Sequence, residues 1–136
     1  MPWPVFVASA VVVPIATTSA RLRSRGYNQA ALLAEVVAAR LDRPAAREAL
    51  VRKGAAASQT QLSPERRREN VRGAFSSGAS TPTLAGRSVL LVDDVLTTGA
   101  TALEAAATLR AGGAGEVRLL TFGRALPGRE LGEEAA

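Results

Sequence analysis

The chain contains no cysteine and no histidine. Their absence removes disulfides, thiolate nucleophiles, imidazole general bases and most zinc sites, so any catalysis must rest on carboxylates, hydroxyls, backbone amides or a carboxylate-bound magnesium. Aromatic residues are scarce, with one Trp, one Tyr and three Phe, which leaves few stacking platforms for single-stranded nucleic acid, although Tyr27 sits within the most basic region. A long apolar run is missing too. The longest, residues 5–16, is interrupted by Ser9 and Pro14 and falls short of the roughly 20 residues a membrane helix needs. A secretory signal is the closer competitor, since Thr18, Ser19 and Ala20 are small, but no Lys or Arg precedes Arg21 to form a positive leader. The preferred reading of this run is a buried β-strand, and the expected location is cytoplasmic.

What is present describes an ordinary globular domain. The chain has 136 residues, 47% hydrophobic and 21% charged, which argues against disorder, collagen-like repeats and coiled coil, and its length leaves no room for a second catalytic module. We expect one domain over residues 1–126 and a polar, acidic tail over 127–136. The net charge of +5 hides an asymmetry, because residues 21–72 hold 12 of the 17 basic groups and only 5 of the 12 acids. Lys53 is the sole lysine. Arginine pairs with phosphate oxygens through a planar fork, so a basic half of this kind suits nucleic acid or a small polyphosphate; GC-rich codon usage would equally favour Arg over Lys.

Apolar runs alternate with helical patterns. Residues 5–13 read as a strand ending at Pro14, and residues 27–41 as a helix with Leu32, Leu33, Val36, Val37 and Leu41 at helical spacing. Residues 49–51 read as a short strand. The small residues of 54–58 read as a mobile loop, and Ser63, Pro64 and Glu65 open a short helix ending near Asn70. Residues 76–86 form a surface connection, residues 88–92 a strand needing cover on both faces, residues 101–111 an Ala-rich helix closed by Gly112 and Gly113, and residues 117–122 a last strand. This alternation predicts an α/β fold, an open mostly parallel sheet flanked by helices, whose ligands bind beyond the carboxyl ends of the strands.

The most informative segment runs from Val89 through Asp93, Asp94, Thr97, Thr98, Gly99 and Ala100 to Thr101. Two acids are expected to end a buried strand, where they are cheap only if they bind a cation, accept from hydroxyls or meet donors from the basic half. Hydroxyls and a glycine then precede a helix, whose first amides suit one phosphate group. Carboxylates on vicinal hydroxyls beside amides on a phosphate suit a phosphorylated sugar. Neither a Walker A sequence nor the glycine spacing of a dinucleotide fold is present. An N-capping Asp with a Thr-rich turn accounts for one acid and one Thr of this segment.

This segment closely resembles the phosphoribosyl pyrophosphate (PRPP) motif of type I phosphoribosyltransferases. The resemblance implies that Asp93 and Asp94 hold the ribose hydroxyls, and that Thr97, Thr98, Gly99, Ala100 and Thr101 wrap the 5′-phosphate. Arg25, Gly26, Tyr27, Asn28 and Gln29 look like the Arg-Gly-Phe-Asn-Gln element of the ComF family, the competence-protein-F-like phosphoribosyltransferases. Arg52, Lys53, Gln59, Leu62, Arg67 and the run from Asn70 to Phe75 resemble that family's middle block. By this resemblance Ile15, Ala16, Thr17, Thr18 and Ser19 form the pyrophosphate loop, residues 52–62 a flexible loop over the site, Arg52 and Lys53 the catalytic cations, and Mg²⁺ arrives bound through PRPP. Ala16 stands where the family often has a second Pro, and the cysteine-rich zinc module common in ComF proteins is not in this sequence.

Three classes of function remain open: a transferase that passes a phosphoribosyl group from PRPP to a small nitrogen acceptor, a PRPP- or nucleotide-binding regulator without turnover, and an accessory protein in DNA uptake. Partners to be tested are accordingly PRPP, the acceptor, a second copy in a homodimer and the DNA-uptake machinery. Little proton transfer is needed when pyrophosphate departs from C1 under attack by nitrogen, so a chain without His or Cys is compatible with that chemistry. Thr98→Val keeps β-branching while deleting a hydroxyl donor. It is expected to weaken binding of ribose 5-phosphate and PRPP alike, with little change in melting temperature, as titration calorimetry and thermal unfolding would report.

Overall fold

Two prolines near the start of the chain are compatible with a helix as its first element. The computed structural model describes residues 2–16, 28–52, 74–78, 84–96 and 99–124, and in it Trp3–Ser9 form a helix, α1, rather than the first half of the expected strand. Pro2 is the N-cap and Pro4 lies in the first turn, where a fixed φ suits the helix and the missing N–H is no loss. Seven residues do not hold a helix alone. Tertiary contacts hold this one: Phe6 is fully buried, the Trp3 and Phe6 rings stack at 5.7 Å, and the Arg118 guanidinium lies 4.5 Å from the Phe6 centroid and 5.8 Å from that of Trp3. At its other end Arg43 Nε donates to the Ala10 carbonyl at 2.8 Å. The β-propensity of the valines thus yields to contacts made far along the chain.

The strand begins later, as β1 (Val11–Pro14). It pairs in parallel with β4 (Val89–Leu96), which pairs in parallel with β5 (Val117–Arg124), giving the order β1-β4-β5. A parallel bridge from Val12 to Ala45 lines the other edge of β1. Helix α2 (Gln29–Leu41) covers one face and α3 (Ala100–Ala111) the other. The expected α/β architecture, a parallel sheet between helices, is therefore the observed one. A separate antiparallel pair joins β2 (Leu50–Arg52) to β3 (Phe75–Ser77), and packs against the α3 side.

Alternation along β4 sorts its side chains between two cores. Val89 and Leu91 join Val11, Val13, Leu50, Phe75, Ala102, Ala105 and Leu109, whereas Leu90 and Val92 join Val12, Phe6, Ala34, Val37 and Ala38. Burying each large aliphatic side chain contributes about 1.5–3 kcal/mol, and β4 presents such residues to both faces. Its strand also runs further than expected. Pairing with β5 continues to Leu96 opposite Arg124, so Asp93 and Asp94 lie within the strand and do not end it; pairing with β1 stops at Pro14 opposite Val92.

Helix α2 starts two residues later than expected, capped by Asn28, whose Oδ1 accepts from the Ala31 amide at 3.4 Å, and it ends at Asp42 in a left-handed conformation. Only part of the expected apolar face packs: Leu33, Val37 and Leu41 face the core, and Leu32 and Val36 do not. Ala30, Ala34, Val37 and Ala38 are buried, while Leu32 is 47% and Val36 56% exposed. Small side chains let the helix backbone approach the sheet closely, and this turns Leu32 and Val36 outward. The loop at 54–58 and the short helix opening at Ser63 lie outside the described residues. Among the described residues no helix is long and apolar enough to cross a membrane.

The connection expected at 76–86 begins inside the fold, since β3 occupies Ser76 and Ser77 and Gly78 follows against the chain at Glu48. The Gly78 amide donates to the Ala49 carbonyl at 2.9 Å, and a Cβ at this position would run into the carbonyl oxygen of Glu48. Gly78→Ala is expected to lower stability by at least the roughly 1–3 kcal/mol typical of overpacking, because backbone cannot swing aside as a flexible side chain does. A fall in the urea midpoint without a change in slope would report it.

Candidate functional site

Strand β4 carries Asp93 and Asp94 one and two residues past the point where β1 stops pairing, so the acids emerge at the carboxyl edge of a sheet that is buried below them. Register with β5 is continuous through this stretch, and alternation therefore sends Asp93 toward the α3 side and Asp94 toward the α2 side. Both are half-buried. The Asp94 amide donates to Asp93 Oδ1 at 2.8 Å. Burial pushes the Asp93 carboxyl up from 3.8 to about 6, and the neighbouring Asp94 carboxylate adds to the rise; the Asp94 amide and the positive charge of Arg52 oppose it. A carboxylate so placed gains from any donor or cation that arrives to meet it.

Three further segments converge on this edge. After β1 the chain stays beside β4: the Ile15 amide donates to the Val92 carbonyl at 2.9 Å, the Ile15 side chain is buried in the α3-side core, and Ala16 packs against the same core. Ile15 can thus offer a ligand backbone but not side chain. Past β4, Gly99 takes φ +84° at the N-cap of α3, a conformation that disfavours any residue with a Cβ, and Ala100 and Thr101 open the helix. The positive end of the α3 dipole therefore lies within a few residues of the acids. From the antiparallel pair, Arg52 closes β2 opposite Phe75, with its guanidinium 5.3 Å from the ring centroid and its charge felt at Asp93.

Of the residues expected in the site, the structure brings together Asp93, Asp94, Gly99, Ala100, Thr101, Ile15, Ala16 and Arg52. Thr17, Thr18, Ser19, Lys53, Thr97 and Thr98 lie outside the described residues, as do Arg25, Tyr27, Gln59 and Arg67. Among the described residues no group of three or more acids converges as a metal cage. Sequence reasoning missed the ring beneath Arg52, although Phe75 stood in a block already singled out; only the strand register sets the two opposite each other.

Comparison with known proteins gives a consistent picture. A phosphoribosyl transferase domain model matches residues 9–131. The chain is 37% identical over 114 residues to competence protein F of Haemophilus influenzae, across 84% of this chain and 50% of that protein. It is likewise 37% identical over 102 residues to DNA utilization protein YhgH of Escherichia coli O157:H7, across 75% and 44%. The chain spans about half the length of the curated relatives it matches. Among solved structures, the allosteric regulatory enzyme of purine biosynthesis superposes with a TM-score of 0.55 at 24% identity, over 85% of this chain and 22% of that one. The glutamine PRPP amidotransferase of B. subtilis complexed with ADP and GMP gives 0.54 at 23%, with the same coverage. At such identities the likeness is one of fold, and it is the type I phosphoribosyltransferase fold that was expected.

The raised Asp93 carboxyl makes stability depend on pH with a definite sign. Below 3.8 the group is protonated in both folded and unfolded chains; between 3.8 and about 6 the unfolded chain ionises first and the folded state loses stability, and above about 6 the loss is complete. Asn stays neutral and can still accept from the Asp94 amide. Asp93→Asn is therefore expected to raise the urea midpoint at pH 7.5 relative to the parent and to leave it unchanged near pH 3.5, in ligand-free protein.

Proposed function

Because the chain belongs to the phosphoribosyl transferase domain family, we propose that it binds PRPP at the carboxyl edge of the sheet and transfers the phosphoribosyl group to a nitrogen acceptor with release of pyrophosphate. The observation that carries this reading is the half-buried acid pair Asp93–Asp94, which lies shortly before Gly99, the left-handed N-cap of α3. Carboxylates held partly out of water favour hydroxyl donors, and vicinal ribose hydroxyls supply two of them. The 5′-phosphate then falls to the amides and hydroxyls of Thr97, Thr98, Gly99, Ala100 and Thr101. The turn of Ile15, Ala16, Thr17, Thr18 and Ser19 faces the pyrophosphate, together with Arg52 and Lys53.

In the reaction the C1–O bond to pyrophosphate breaks and its electron pair leaves with the pyrophosphate. The nitrogen lone pair forms the new C1–N bond, and the nitrogen releases its proton to solvent. Positive charge builds at C1 and negative charge on the leaving group, so the chain contributes chiefly by orientation and by Arg52, Lys53 and backbone dipoles aimed at the departing oxygens. Asp93 and Asp94 would be the residues to hold a Mg²⁺ arriving with PRPP, an ion that favours ligand oxygens over an all-protein cage. When bound, the ion neutralises charge on the leaving pyrophosphate. The relatives are named for competence and DNA utilization, and on that likeness we place the reaction, or the bound state alone, in the handling of incoming DNA.

The test is a pyrophosphate-release assay with PRPP, Mg²⁺ and a panel of purines, pyrimidines and ammonia, run beside calorimetric titration with PRPP. Release with one acceptor supports the transferase, whereas binding without release to any acceptor selects the non-catalytic regulator. Asp93→Asn combined with Asp94→Asn is expected to weaken PRPP binding by at least roughly 2 kcal/mol while the fold persists, the loss expected of charge-assisted hydrogen bonds. An unchanged affinity would remove the acids from the site.

A further inference from the structure

Strand β5 is as apolar as its neighbour and far less covered. Val89 to Val92 of β4 are buried, whereas Val117 to Gly123 of β5 contain no buried residue. Leu119, which shares the α3 side with Leu91, is 39% exposed, and Phe122, which shares the α2 side with Leu120, is 56% exposed. Among the described residues β5 has a strand on one side only and forms the edge of the sheet. Its backbone is open there as well. The Val89 amide donates to the Glu116 carbonyl at 2.8 Å, so the even-numbered residues that follow turn their N–H and C=O groups toward β4, and Val117, Leu119, Thr121 and Gly123 turn theirs toward the edge. Such an edge pairs readily with another strand unless charge, proline or a bulge guards it. Strand β5 holds no proline and keeps a continuous register with β4, and Arg118, the charge in its middle, is drawn back over the rings of Phe6 and Trp3.

We propose that β5 is the docking surface for β5 of a second copy of this chain, the two strands meeting antiparallel about a twofold axis so that two sheets become one. The strand fits itself in one register. With the axis at Leu120, Val117 falls opposite Gly123 of the second copy and Leu119 opposite its Thr121, so every edge residue of each copy exchanges hydrogen bonds. On the α2 side Leu120 meets its own counterpart, and Arg118 falls opposite Phe122. Glu116, just before the strand, falls opposite position 124, an arginine. Acid opposes base and cation opposes ring at equal distances on either side of one residue, which is the complementarity a surface needs to pair with itself. Other registers lose it. An axis at Arg118 sets Arg opposite Arg, an axis at Thr121 sets Arg118 opposite Arg124, and an axis at Leu119 carries Gly123 past the start of the facing strand. Because the second copy's strands run the other way, the carboxyl edges of the two sheets face in opposite directions and each chain keeps a whole candidate site. The proposal therefore stands apart from the PRPP reading.

Sedimentation velocity over a dilution series is expected to give the parent twice the 14.0 kDa of one chain. Register is read with cysteine, which the chain lacks. Leu120→Cys, on the axis, is expected to form a disulfide with its counterpart under mild oxidation, whereas Val117→Cys, whose counterpart lies about 20 Å along the seam, is not. Thr121→Pro removes an edge donor and no bond to β4, and Phe122→Arg sets Arg opposite Arg118 of the second copy. Each is expected to raise the dissociation constant at least roughly tenfold with an unchanged circular dichroism spectrum. Phe122→Glu, equally polar but opposite in sign to Arg118, is expected to keep the dimer. Should Thr121→Pro not fold, the two Phe122 variants decide. A parent of single-chain mass at every concentration, a disulfide at Val117→Cys and none at Leu120→Cys, a dimer untouched by Phe122→Arg, or equal loss in Phe122→Arg and Phe122→Glu overturns the inference. Protection of the Val117, Leu119, Thr121 and Gly123 amides from hydrogen exchange in a monomer also overturns it, and assigns the edge to another part of the same chain.

Discussion

Everything in this molecule hangs on a strand that is buried on both faces and paired on both edges up to one point. Val89, Leu90, Leu91 and Val92 are almost fully excluded from water, each against a different core from its neighbour. Such a strand has no freedom to slip, because a shift by one residue would exchange the two cores and move every side chain to the wrong face. The consequence falls on the two residues that follow. Asp93 and Asp94 are delivered at a set position, with backbone still tied to β5 and no longer tied to β1. Desolvating a carboxyl is unfavourable, and it persists because four adjacent aliphatic side chains, at about 1.5–3 kcal/mol each, outweigh it.

A parallel sheet gathers the rest of the site without further contrivance. Strands that run the same way end on the same edge, so the turn after β1, the acids of β4 and the start of α3 meet there although they are separated by about eighty residues of chain. The antiparallel pair β2–β3 is the exception, since it is not part of that sheet. Its place is secured by Leu50 and Phe75 in the α3-side core, and this is how Arg52 comes to the edge.

Charge follows the same logic of local use. The basic half of the chain suggests one continuous patch, but three of its described members, Arg43, Arg47 and Arg52, make separate contacts. Arg43 satisfies a carbonyl at the end of α1, and Arg47 pairs with Glu35 at 2.6 Å on the surface, where such a pair contributes little. Among the described arginines of that half, Arg52 is the one whose charge bears on Asp93. Among the described residues, Arg43, Arg47 and Arg52 are thus each placed by their own neighbours.

Much of the local structure around the acid pair was legible in the sequence because its information is local. The run of aliphatics, the paired acids, the glycine required at φ +84° and the helix it opens are consecutive, and each residue's role follows from those beside it. The extents of α3 and β2 were readable to within a residue for the same reason. Other features were decided by contacts between distant segments. Residues 3–9 hold β-formers, yet a helix wins once Arg118 and the sheet receive Phe6 and Trp3. Helix α2 packs its alanines and leaves Leu32 and Val36 outside because the sheet demands close approach. The acids sit within β4 and not at its end because β5 extends the ladder to Leu96. Periodicity along one segment says which residues share a face; only the partner strand or helix says which face is buried, how far a ladder runs, and that a phenylalanine twenty-three positions away lies under Arg52.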